Sequence, residues 1–293
     1  MMYGKVAALE ATFHLFRPVW RSVLKEGNVI NVLFIGDIVG SVGRKALKDT
    51  LPSLKAKYNP HVIIANGENA ASGRGITQSI AKDFFEWGVH GITMGNHTWD
   101  NKDIFDFIDD EPRMIRPANF PPGTPGRGAA VIKANGKELA IVNLQGRTFL
   151  PAIDCPFRTS DEIIDQLRKK HKCILVDFHA EATSEKIAMG WHLDGRASIV
   201  VGTHTHVQSN DDTILPGGTA YLTDAGMVGP KDGILGMERE AVLRKFKTQL
   251  PVRFEVDKGK WQFHGLFVQL DESTGKAKKM EKIRLLEDEW IMS

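Results

Sequence analysis

The residues of this sequence best equipped for chemistry are carboxylates, amides and imidazoles placed where an apolar run stops. Gly36-Asp37 follows Val32-Leu33-Phe34-Ile35, and Asn66-Gly67-Glu68-Asn69 follows His61-Val62-Ile63-Ile64-Ala65. Met94-Gly95-Asn96-His97 follows Gly91-Ile92-Thr93, and Asp177-Phe178-His179 follows Cys173-Ile174-Leu175-Val176. Gly202-Thr203-His204-Thr205-His206 closes Ala197-Ser198-Ile199-Val200-Val201. Carboxylate, imidazole and amide oxygen together suit borderline divalent ions such as manganese, iron or zinc, and the lack of thiolate speaks against a soft site. Two ions a few ångströms apart need about eight ligand atoms, a bridging carboxylate, and open positions for water and substrate. Asp37, Glu68, Asn69, Asn96, His179, His204 and His206 offer such a set. His204 and His206, two apart, share a face in an extended segment and can diverge to two metals at an irregular strand end.

Each of these residues also has a plainer use. A strand-end Asp is most often a helix N-cap, and Asn66-Gly67 or Asn69 is ordinary turn chemistry. A lone His179 is a structural histidine more often than a ligand, and Trp99 and Trp191 suit core packing as well as substrate stacking. Order separates the two uses. All five stretches end strands, and in open α/β sheets ligand sites gather beyond the carboxyl ends of strands.

The elements that must position this rim alternate strand and helix over the front of the chain. Leu47, Leu51 and Leu54 are spaced for one face of a helix over residues 41–57, stopped by Pro60. Helices over 77–87 and 102–109 continue the β-α-β rhythm, which implies parallel strands. The Pro/Gly-rich stretch 116–128 reads as an ordered surface loop. After it, 129–133 and 138–144 around Asn135-Gly136 read as an antiparallel hairpin, and a helix near 160–170 precedes the fourth strand. Segments 252–256, 261–270 and 278–285 read as a closing antiparallel meander. The expected architecture is α/β: two mixed sheets packed face to face with helices outside.

Composition narrows the classes. A formal net charge of +2 gives no strong case for nucleic acid or an anionic membrane. No apolar run approaches the roughly 20 residues of a membrane span. Two cysteines outside any CxxC pattern fit a reducing cytoplasm and argue against a disulfide scaffold.

The order Asp, Gly-Glu-Asn, Gly-Asn-His, His, Gly-Thr-His-Thr-His resembles the calcineurin-like binuclear metallophosphoesterases. More closely, Leu33-Phe34-Ile35-Gly36-Asp37-Ile38-Val39-Gly40, Met94-Gly95-Asn96-His97-Thr98-Trp99-Asp100 and Asp177-Phe178-His179-Ala180-Glu181-Ala182-Thr183-Ser184-Glu185-Lys186 resemble the YmdB-type bacterial phosphodiesterases. The resemblance spans about residues 30–290 and implies a metallophosphoesterase sandwich. It implies one metal on Asp37, Glu68, Asn69 and His206, another on Glu68, Asn96, His179 and His204, and Glu68 as the bridge. Where most of the superfamily carries Asp-x-His, this chain has Asp37-Ile38-Val39, and Asn69 would replace the missing histidine. The implied reaction is hydrolysis of a cyclic nucleotide, 2′,3′-cyclic AMP foremost, by a hydroxide held between two divalent ions. Iron or manganese is expected there, with zinc and magnesium as the other candidates. His97 would be the general acid, and Arg147, Thr148 and Phe149 are expected to line the substrate cleft.

Three further expectations follow. Residues 1–28 fall outside the resemblance and read as an extension, or as a mis-assigned start: Lys25-Glu26-Gly27 could translate a ribosome-binding sequence just ahead of Val29. Residues 29–293 form one metallophosphoesterase domain. The protein is cytoplasmic, takes a small phosphodiester, needs no membrane, and is compatible with a homo-oligomer. The competing functions are a phosphomonoesterase or nuclease on the same metals, and a metal-bound regulatory or RNA-binding scaffold.

Overall fold

Strand and helix alternate from the first described residue in the computed structural model, which describes residues 28–290. Apart from Asn28, the expectation for residues 1–28 lies outside that range. The order begins β1 (Val29–Ile35), β2 (Asp37–Ile38), α1 (Gly40–Tyr58), β3 (Val62–Asn66), α2 (Gln78–Trp87), β4 (Gly91–Thr93) and β5 (Met114–Ile115). It continues through β6 (Ala129–Ala134), β7 (Lys137–Gln145), α3 (Pro156–Leu167), β8 (Ile174–His179), α4 (Thr183–Leu193), β9 (Ile199–Thr203), β10 (Thr213–Ile214) and β11 (Ala220–Leu222). It closes with β12 (Met227–Pro230), α5 (Arg239–Thr248), β13 (Trp261–Asp271), β14 (Ala277–Leu286) and the short α6 (Glu287–Trp290).

Two mixed sheets result. The first runs β2-β12-β13-β1-β3-β4-β5, with β14 also on β13; the second runs β10-β11-β9-β8-β7-β6. Strands β1, β3, β4 and β5 are parallel, as are β7, β8, β9 and β11. All their carboxyl ends that matter here therefore open on one rim.

Alternation along each strand feeds two layers at once. Val32 and Phe34 of β1 pack between the sheets with Leu175 and Val201, while Leu33 and Ile35 pack beneath α1 and α2 with Leu47, Leu51 and Phe84. Val176 and Phe178 face α3 and α4 with Ile164 and Met189. A strand buried on both faces reads as one continuous apolar run, which is why these strands were plain in the sequence. Their odd-even register has a consequence at the rim: Leu175 lies between the sheets, so Asp177 and His179 face the same way.

The back half departs from the expected meander. Segment 252–256 forms no strand; only Val256 makes an isolated bridge, to Met237. The edge it would need is taken, because β12 pairs with the first residues of β13 and β1 with the rest. The expected helix over 102–109 is a shorter 3-10 turn, Lys102–Asp106. Thr77 is not the first helical residue but the cap, its side chain accepting from the Ile80 N–H at 3.3 Å. Among the described residues no helix is long and apolar enough to cross a membrane.

Candidate metal centre

His179, at the last position of β8, is wholly buried, and its two ring nitrogens have different neighbours. Nδ1 lies 2.9 Å from Thr203 Oγ1, and that hydroxyl lies 2.7 Å from Asp177 Oδ1. The Thr203 proton goes to the carboxylate, so its oxygen accepts from Nδ1–H and fixes the tautomer. Nε2 then faces the rim and carries the second ring proton when the imidazole is charged. There it meets Asn96 Oδ1 at 2.9 Å, His204 Nδ1 at 3.0 Å and Glu68 Oε1 at 3.1 Å.

Each partner has its own tether. His204 Nε2 lies 3.0 Å from Glu181 Oε2, which leaves Nδ1 as the ring's acceptor. Glu68 begins its turn with a backbone N–H donated to Asn66 Oδ1, and the His97 N–H donates to its Oε2 at 3.1 Å. Asn66 Nδ2 crosses between the sheets to Asp177 Oδ2 at 3.1 Å. Gly95 lets the β4 end come this close: a Cβ there would overlap the His179 ring and the Glu68 carboxylate.

A second group adjoins the first. His206 Nδ1 donates to the Leu235 carbonyl at 3.0 Å, and its Nε2 faces Asn69 Nδ2 at 3.2 Å. Asn69 Nδ2 also donates to Glu68 Oε1 at 3.1 Å, so the same carboxylate oxygen touches both groups. The Asn69 amide nitrogen, not its oxygen, faces inward, and rotation of the amide by half a turn would present Oδ1 instead. Asp37 accepts the His204 N–H on Oδ2 at 3.2 Å, while its Oδ1 is buried without a hydrogen-bond partner.

Electrostatics agree with the geometry. Burial pushes the Asp37 carboxyl well above the usual carboxylate range. Burial also opposes the charged forms of Glu68 and His179, but their mutual attraction wins: Glu68 falls to about 2 and His179 rises to about 9. Burial, then His179 beside it, lowers His204 to about 3, and burial lowers His206, so both rings are neutral as a metal ligand requires. Three acceptors around one buried nitrogen, plus an unpaired carboxylate oxygen, form a pocket that attracts positive charge. One ring proton cannot serve them all. Glu68, His179 and His204 offer atoms within 4.8 Å of one another, and this donor set fits divalent ions.

The loop bearing His204 and His206 is held from below. Both have left-handed φ, 100° and 66°, which an imidazole side chain adopts only under constraint. Thr205 between them donates its N–H and hydroxyl to Asp224 Oδ2 at 3.1 and 2.7 Å. That oxygen also receives the buried Lys186 ammonium at 2.6 Å. Asp224 follows the apolar run of β11, a sixth polar strand end that the sequence reading passed over. Asp177 and Thr203 were likewise missed, although Asp177 shares a strand face with His179.

His97 lies at the mouth, its Nδ1 2.8 Å from Asp100 Oδ2. With Glu68, Asn69, Arg74, Glu181, His204 and His206 it lines a cleft of about 260 Å³. Arg147, Thr148 and Phe149 are not among the lining residues. The Arg147 and Thr148 N–H groups clamp onto Glu185 of α4, and Phe149 is 87% exposed.

Residues 33–283 match the family described as "YmdB-like protein". A Bacillus subtilis (strain 168) protein named 2′,3′-cyclic-nucleotide 2′-phosphodiesterase is 59% identical over 259 residues, covering 88% of this chain and 98% of that one. The crystal structure of a novel phosphatase from Mycoplasma pneumoniae superposes with a TM-score of 0.84 at 36% identity, covering 91% of this chain and 97% of that one. A hypothetical protein from Thermus thermophilus superposes with a TM-score of 0.83 at 40% identity, covering 88% of this chain and all of that one.

Proposed function

This chain belongs to the YmdB-like family, and from that premise we propose that it hydrolyses 2′,3′-cyclic nucleotides, 2′,3′-cyclic AMP foremost, at the 2′ ester. The observation that carries the reading is the convergence of Asn96, Glu68 and His204 on His179 Nε2 within 3.1 Å. Glu68, Asn96, His179 and His204 would hold one divalent ion, and Asp37, Glu68, Asn69 and His206 the other. Iron or manganese comes first on this mixed oxygen and nitrogen set, ahead of zinc or magnesium. Bound, the ions would polarise the phosphoryl oxygens and make water a nucleophile at neutral pH.

The chain's own groups account for the rest. Attack of water oxygen on phosphorus forms one P–O bond and breaks the bond to O2′, which needs a proton. Asp100 accepts from His97 Nδ1 and so leaves Nε2 to deliver that proton from the cleft. Arg74 brings a guanidinium to the same cleft, its Nη1 3.7 Å from Asp100 Oδ2. Its side chain is 68% exposed, and its remaining N–H groups can meet a phosphoryl oxygen. A reducing cytoplasm fits Cys155 and Cys173, both free thiols.

The test is product analysis with 2′,3′-cyclic AMP. Wild type should yield the 3′-monophosphate, and His97→Ala should keep its metal while turnover falls by roughly 10²–10⁴-fold. Wild type that binds metal but cleaves no cyclic or linear phosphodiester would move the assignment to a metal-bound scaffold.

A further inference from the structure

A larger cavity than the metal cleft, about 380 Å³, lies at the opposite ends of the same strands. Arg168 and Lys172 flank the entry to β8, Arg196 the entry to β9, and Gly217 and Gly218 the entry to β11. The β13–β14 turn, with Thr274 and Lys276, closes it. Among the described residues no carboxylate lines it.

The cations there differ in what they are already doing. Arg196 is committed to Asp161 and Asp165 at 2.5 and 3.0 Å. Among the described residues, Arg168, Lys172 and Lys276 have no carboxylate partner. Arg168 spends one N–H on the Gly195 carbonyl at 2.7 Å, and Lys172 spends one on the Ser273 carbonyl at 2.6 Å. A guanidinium has five N–H donors and an ammonium three, so both are anchored and still have donors to offer. The glycine N–H groups are already used: that of Gly217 goes to Asp194, and those of Gly218 and Gly275 go to Leu215 and Asp271. Recognition would rest on side-chain charge.

We infer that this cavity binds the polyphosphate group of a small anion, either inorganic or carried by a nucleoside. Three cations without carboxylates around one concavity raise the local concentration of anions, and anchored guanidinium and ammonium groups suit several phosphoryl oxygens at once. The walls carry no Phe, Tyr or Trp on which unpaired bases could stack, which favours a phosphate chain over single-stranded nucleic acid.

Titration calorimetry tests this on each protein as purified, with magnesium tripolyphosphate and magnesium ATP as separate probes. Wild type and Asp37→Ala should each bind one equivalent. Arg168→Glu/Lys276→Glu should bind at least about tenfold more weakly and hydrolyse substrate at the wild-type rate. Lys276→Glu alone, at an exposed turn, should show part of the loss if the double variant folds poorly. Tripolyphosphate and ATP binding alike would assign the phosphate chain alone; tighter ATP binding would add the nucleoside. The inference is overturned if neither probe binds, if the charge-reversed protein binds as wild type does, or if only Asp37→Ala loses binding. It is also overturned if single-stranded RNA binds in a pocket-dependent way and the small anions do not.

Discussion

The two ends of β8 and β9, roughly 20 Å apart at about 3.3 Å per residue, handle charge in opposite ways. At the carboxyl ends, Asp37, Glu68, Asn69 and His179 are buried, and their acceptor atoms face one another without enough protons between them. At the amino ends, Arg168, Lys172 and Lys276 stand in solvent, with backbone carbonyls holding the first two. The difference is one of desolvation. A buried acceptor with no donor costs free energy until a cation arrives, whereas a hydrated cation only selects its partner and barely constrains the fold. The rim is therefore built to require its ligand, and the amino-end cavity only to admit one.

Substitutions can break that contrast, and the largest effect belongs to the rim. Asp37→Ala removes the orphaned carboxylate oxygen and should abolish metal retention and reduce turnover to background, read by elemental analysis and product assay. His97→Ala follows, with the loss of roughly 10²–10⁴-fold stated above and metal content unchanged. Lys186→Met attacks the support beneath His204 and His206. Removing one member of a buried ion pair strands the other charge, at a cost of about 3–5 kcal/mol, measurable by denaturant unfolding. A cost below about 1 kcal/mol would mean that Asp224 is held without the lysine, by the Thr205 hydrogen bonds and by the Gly226 N–H, which donates to its Oδ1 at 2.8 Å. Asp100→Asn should cost less, about tenfold in turnover with KM little changed, because it only aims the His97 ring. Arg168→Glu/Lys276→Glu should leave turnover and unfolding free energy within experimental error, which is the sharpest statement of how the two ends differ.

The sequence shows the rim better than its foundations. A run such as Val32-Leu33-Phe34-Ile35 ended by Asp37 is legible because both faces of the strand are buried and the break in polarity is abrupt. The parallel order of the front strands followed from the helices between them. Lys186 shows the limit. A lysine within helix α4 reads as solvent-facing, and only Asp224, 38 residues on, explains why it is buried. Thr203 and Asp177 are small inward-facing polar residues on strands, and their relay to His179 exists only once β8 and β9 pair. Segment 252–256 has strand-like composition, but whether it joins a sheet depends on which edge β12 occupies. Local pattern carries no record of that competition. The cavity at the amino ends was illegible for the same reason: its cations come from three separate connections, and +2 overall conceals them.

On the proposed function, the rim's unpaired acceptors are ligands for two divalent ions. The most direct measurement is the metal content per chain of the purified protein, with thermal unfolding before and after chelation. The protein should carry about two transition-metal ions per chain and unfold at a lower temperature once they are removed, since a ligand that binds only the folded state stabilises it. A folded chain that carries no tightly held divalent ion, and whose unfolding ignores the chelator, would contradict it.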